Sequence, residues 1–146
     1  MNNYSHLLVG VDLSPESAQI IERARQISRN HNARLTLVHV LEPLTFAYGG
    51  DIPMDLTEVQ TQLQAQADEQ LKQLAKRTQI SEDDCQLLIG QPAAELHQLA
   101  AQQGCDLIVV GSHGRQGLAL LLGSTANGVL HGANCDVLAV RVNEAD

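Results

Sequence analysis

Apolar residues along this chain fall into short unbroken runs, separated by longer segments in which they recur every three or four positions. His6 to Val11 is such a run, of the length and character of a strand buried on both faces. Asp12-Leu13-Ser14-Pro15-Glu16 then reads as a turn and a helix start, with Ser14 as N-cap and Pro15 at the first helical position. Ala18, Ile20, Ile21, Ala24 and Ile27 give that helix an apolar face through about Asn30. Arg34 to Leu41 predicts a second strand, its alternation marked by Leu35, Leu37, His39 and Leu41.

Residues 43–53 read as a loop with Gly49-Gly50 near its tip. Leu56, Val59, Leu63, Ala67, Leu71 and Leu74 then predict a long amphipathic helix. Cys85 to Ile89 forms a third strand, and Gly90-Gln91-Pro92 turns into a short helix with Ala93, Leu96, Leu99 and Ala100, ended by Gly104. Residues 107–110 are the fourth and most β-branched strand. A Gly-rich loop follows, then a helix over 124–131 and a last strand over 137–142.

Five strands joined by crossovers predict an α/β domain, residues 1–146, built on a doubly wound parallel sheet with helices on both faces. Periodicity leaves the strand order open. Order 3-2-1-4-5 sets the switch point between strands one and four, and order 2-1-3-4-5 between one and three. The unusual loop after strand four favours the former.

Composition narrows the functions this frame can serve. Aromatics make up only 2% of the chain and there is no Trp, so Leu, Ile, Val and Ala must build the core and base stacking on aromatic platforms is excluded. A net charge of −8, with Lys72 and Lys76 the only lysines, argues against nucleic-acid and anionic-membrane binding. No apolar stretch is long enough to span a bilayer, and no basic segment leads into a cleavable apolar one. Cys85, Cys105 and Cys135 are odd in number and widely spaced, which disfavours a disulfide framework or a zinc site. They read as small buried residues of a cytoplasmic protein.

The candidate chemistry lies after strand four: Gly111-Ser112-His113-Gly114-Arg115-Gln116-Gly117, five apolar residues, then Gly123-Ser124-Thr125. Glycines after a strand permit positive φ and close backbone approach to a ligand. A Gly-Ser-Thr at a helix start offers free N–H groups and a favourable dipole to an anion. The pair can hold a polyphosphate, or it can be a tight turn with Ser124 as a helix cap. Gly123 is followed by Ser124 rather than Lys, so this is no Walker loop, and no Gly-x-Gly-x-x-Gly follows the first strand.

Residues 111–142, GSHGRQGLALLLGSTANGVLHGANCDVLAVRV, resemble the carboxyl-terminal signature of the universal stress protein family. LLVGVDLSPES resembles that family's first strand and turn, and LTLVHV its second strand. The resemblance covers nearly the whole chain and implies strand order 3-2-1-4-5, a homodimer and, in one subgroup, bound ATP or AMP. Gly111, Gly114, Gly123 and Ser124 match the nucleotide-binding pattern, with eight residues between Gly114 and Gly123, one fewer than is usual.

The resemblance also assigns Asp12 to the ribose and adenine, with Gly10 and Val11 in the same turn. A carboxylate there accepts from sugar hydroxyls; the competing reading is an Asx turn or helix-entry cap. Val40 would offer adenine backbone groups and an apolar wall, or be an ordinary core residue. Thr125 adds a hydroxyl at the phosphate end, or only occupies the helix's first turn. Arg115 pairs with phosphate oxygens, or is a solvated charge. His113 invites a proton-relay role, though exposed loop histidines are common. His39, in an apolar strand, reads as a hydrogen-bonded core residue.

These residues point to an ATP- or AMP-binding regulatory protein of the stress response, dimeric through Val137, Leu138, Ala139, Val140 and Val142. The alternatives are a slow ATP-hydrolysing enzyme using the same pocket, and a nucleotide-free dimeric interaction module. Magnesium would accompany ATP, without an all-protein carboxylate cage.

Overall fold

β1 (His6–Val11) is buried at every position, as only the centre of a sheet covered on both faces permits. In the computed structural model, which describes residues 3–43, 57–112 and 124–142 but not the side chain of Ser124, β1 lies at that centre. β2 (Arg34–Leu41) and β3 (Cys85–Ile89) continue the sheet on one side. β4 (Leu107–Gly111) and β5 (Asp136–Val140) continue it on the other. The order is β3-β2-β1-β4-β5, with every pair parallel. Of the two orders compatible with the sequence, this one has its switch point between β1 and β4.

Alternation along the strands divides the core into two layers. Leu7, Val9, Val11, Leu37 and Val109 pack against α1 (Ser17–His31) and α2 (Thr57–Arg77). Leu8, Val38, Val40, Ile108 and Val110 pack against α3 (Pro92–Gln103) and α4 (Ser124–Gly132). Gly10 leaves room in the second layer: a Cβ there would stand 3.0 and 3.2 Å from the two methyls of Leu96. The glycine lets α3 settle onto the central strand.

Helix ends follow local chemistry. The Gln91 side chain accepts from the Ala94 N–H at 2.7 Å, with Pro92 opening α3 and Gly104 closing it at φ 67°. The start of α1 differs from the sequence expectation. The helix begins at Ser17 after a non-capping Glu16, and Ser14 and Pro15 belong to the preceding turn. Asp12 supplies the side-chain acceptor there in place of Ser14.

In α2 burial begins only at Ala67, and Val59 is 44% exposed although it lies on the expected apolar face. A helix of 21 residues runs about 31 Å, far beyond the roughly 17 Å of the five-residue β3 beside it. Its first turns therefore overhang the sheet. β5 ends at Val140, two residues earlier than its apolar run suggests, because β4 ends at Gly111 opposite it. Ser112 N–H closes the ladder on the Val140 carbonyl at 2.7 Å, and Val142 is buried beyond the strand.

Candidate functional site at the carboxyl edge of the sheet

At the switch point β1 feeds α1 in one layer, while α4, in the opposite layer, follows β4 in the chain. Strands that part in this way leave a crevice at their carboxyl ends. Carrying the β1–β4 register, Val9 beside Val109, forward by two places sets Val11 level with Gly111. Gly111 is the last residue of β4 and extends the strand.

Asp12 stands where β1 ends and is exposed. Its Oδ1 accepts from the Ser14 N–H at 3.0 Å and the Ser17 hydroxyl at 3.3 Å. Ser17 is 0% exposed and Ser14 is buried. The Ser17 N–H closes the turn on the Ser14 carbonyl at 3.0 Å. Between Asp12 and Ser14, Leu13 is left-handed, at φ 63°, which costs an L-residue about 1 kcal/mol or more. The Asx turn expected as the competing reading of Asp12 is thus present. It uses only Oδ1: among the described residues nothing donates to Oδ2.

His39 braces the same end of β1. It pairs in register with Val11, and its ring Nδ1 lies 2.8 Å from the Val11 carbonyl oxygen. A carbonyl only accepts, so Nδ1 carries the proton. His39 is therefore a half-buried, hydrogen-bonded strand residue. The side chains of Val11 and Val40 belong to opposite core layers, so only their backbones and the strand ends meet at the crevice.

Across the crevice, Ser124 opens α4 and Thr125, half-buried, follows it. Gly114, Arg115 and Gly123, with His113, lie outside the described residues. What holds α4 is a feature that sequence reading missed. A Cβ on Gly128 would lie 2.7 Å from the Ala93 Cβ, and one on Gly132 would lie 3.0 Å from the His97 ring. His97 Nε2 lies 3.2 Å from the Gly128 carbonyl and donates to it. Two glycines four apart in α4 therefore seat Ala93 and His97, four apart in α3. That shared spacing was the available signal.

The cysteines are elsewhere, and their thiols favour the protonated form. Burial pushes Cys85 and Cys105 up to about 11, far from the range of a neutral-pH thiolate, and also raises Cys135. Only Cys105 is fully buried; Cys85 and Cys135 stand at the starts of the two edge strands and are half-buried, contrary to expectation. An open groove on α2, between Glu69, Lys72, Gln73, Lys76, Ile80 and Glu82, holds both lysines, with Lys72 paired to Asp68 at 3.1 Å. Among the described residues no helix is long and apolar enough to cross a membrane.

A sequence model of the universal stress protein family matches residues 3–141. Universal stress protein A homolog 1 of Coxiella burnetii is 41% identical over 144 residues, covering 97% of this chain and 99% of its own. Among solved structures, one described as the hypothetical protein MJ0577 superposes with a TM-score of 0.79 at 21% identity, covering 99% of this chain and all of its own. A universal stress protein solved in complex with cAMP gives a TM-score of 0.65 at 26% identity, covering 96% of this chain and 98% of its own.

Proposed function

The chain belongs to the universal stress protein family, and on that premise we propose that it binds an adenine nucleotide in the crevice between β1 and β4, as a cytoplasmic, homodimeric regulator of the stress response. The observation that carries this reading is Asp12. It stands at the switch point, fixed through Oδ1 by a buried hydroxyl and a strained turn, with Oδ2 accepting from none of the described residues. Backbone strain at such a place is characteristic of ligand sites. The nucleoside would lie at the ends of β1 and β2, against Gly10, Val11, Asp12 and Val40. The phosphates would meet Gly111, Gly114, Arg115, Gly123, Ser124 and Thr125, with magnesium carried by ATP. The cAMP-bound relative supports nucleotide as the ligand class.

The test is mass spectrometry of nucleotide released from freshly purified, denatured protein. ATP or AMP at near one per chain is expected. A protein that releases none, and that binds neither ATP, AMP nor cAMP in calorimetry, is instead a nucleotide-free interaction module.

Binding, not turnover, is the expected activity. Rapid phosphoryl transfer needs preorganised positive charge, yet both lysines are on α2 and Arg115 is the one cation in the loop. Hydrolysis should run far below the enzyme median of about 10 per second and change little in His113→Ala. Robust turnover abolished by that variant would establish the enzyme.

A further inference from the structure

Resting on the nucleotide reading, we propose that Ser17 is a positioning residue that restricts Asp12 to one ribose hydroxyl. A carboxylate that grips a ribose diol in the usual two-point manner gives one oxygen to each hydroxyl. Asp12 is denied that mode, because Oδ1 already accepts from the Ser14 N–H and the Ser17 hydroxyl. The Ser17 donor is wholly buried and sits in the first turn of α1, so it moves only with the helix. The Ser14 donor is fixed by the left-handed Leu13 before it and by the Ser17 N–H on its own carbonyl. Only Oδ2 faces no protein donor among the described residues. Oδ2 has two lone pairs, but a vicinal diol sharing one oxygen bends both hydrogen bonds away from linearity, so one in-line bond wins and the other hydroxyl goes without a strong charged partner. The site therefore accepts nucleotides whose second hydroxyl is removed or esterified.

Calorimetry with ATP, 2′-deoxy-ATP and 3′-deoxy-ATP tests this on the unmodified protein. One deoxy analogue should bind roughly tenfold or more weakly than ATP, the loss of a hydrogen bond to a charged acceptor. The other should stay within about threefold, the expectation for a hydroxyl without a charged partner. Equal losses for both analogues, or none for either, overturn the proposal while leaving nucleotide binding intact. Failure of all three to bind overturns it together with the proposed function. Ser17→Ala frees Oδ1 for the second hydroxyl and should bring the two analogues within about threefold of each other; an undiminished gap shows that Ser17 has no such role. Asp12→Asn keeps an oxygen for the turn but turns an amide donor outward, and should also erase the gap. The comparison in the unmodified protein stands even if Ser17→Ala fails to fold.

Discussion

His39 on β2 secures the last carbonyl of β1: its Nδ1 lies 2.8 Å from the Val11 oxygen, one residue before Asp12. The hydrogen bond ties two strand ends where the ladder gives way to a turn. His39→Leu should lower stability by about 1 kcal/mol, read as a lower urea midpoint with an unchanged slope. Ring 15N shifts of the unmodified protein should report the Nδ1–H tautomer. An Nε2–H tautomer would contradict this bond.

Gly128→Ala separates packing from helix propensity. Propensity alone favours the alanine by about 1 kcal/mol. Its Cβ, however, would lie 2.7 Å from that of Ala93, and neither atom is the free end of a flexible chain. A net loss of about 1–3 kcal/mol is expected. Ala93→Gly in the same chain should recover part of it, giving a coupling of about 1 kcal/mol in a double-mutant cycle.

Gly114→Val and Asp12→Ala should divide the nucleotide between them. The valine should abolish ATP binding while affecting adenosine less, and far-UV dichroism should be unchanged. Asp12→Ala should weaken ATP and adenosine alike, by roughly tenfold. Wild-type affinity for ATP in Gly114→Val would make the loop a turn and nothing more.

The proposed dimer edge yields a discriminating pair. The Val140 carbonyl accepts from Ser112, so the backbone of Val140 faces β4 and that of Ala139 faces the open side of β5. Ala139→Pro should leave the monomer folded and shift sedimentation towards it, whereas Val140→Pro breaks the sheet itself. A wild-type monomer at micromolar concentration would remove the dimer altogether.

Asp106 gives a pH signature at the opposite end of the sheet. Burial acts to raise its carboxyl pKa, but the N–H groups of His6 and Ser5 and the Ser5 hydroxyl outweigh burial and hold it below its ordinary value. A depressed folded value contributes stability above the unfolded pKa, and loses it as pH falls through the folded one. Asp106→Asn should therefore be less stable than wild type at pH 7, with the gap closing as pH drops below about 4. A gap independent of pH would refute the assignment.

The strands were legible because each is a local statement. His6–Val11, Arg34–Leu41 and Cys85–Ile89 fall where their apolar runs begin and end. Failures came where distant partners decide. β5 stops at Val140 because β4 gives out, and α2 stays uncovered at Val59 because β3 is short. The entry to α1 misled because Ser14 and Pro15 resemble a cap, whereas they belong to a turn that Asp12 closes around a left-handed leucine, a conformation no propensity favours, and the helix starts at Ser17 with no side-chain cap. At the proposed site, Gly111 was singled out by its place after a strand and Asp12 through the family resemblance, and both stand at strand ends. The separation of Val11 from Val40 by the sheet needed the pleat in three dimensions.

The central position of β1 has a consequence during synthesis. β1 is made first, yet its pairing with β4 must wait, and Ser5 meets Asp106 across 101 residues. At ribosomal rates that interval is about 5–20 s. β1, β2 and β3 can meanwhile assemble against α1 and α2, leaving Leu8, Val38 and Val40 bare on the other face until α3 emerges. A nascent chain that assembles in this order exposes a half-clothed sheet with an open strand edge, the kind of surface through which two unfinished copies can pair wrongly.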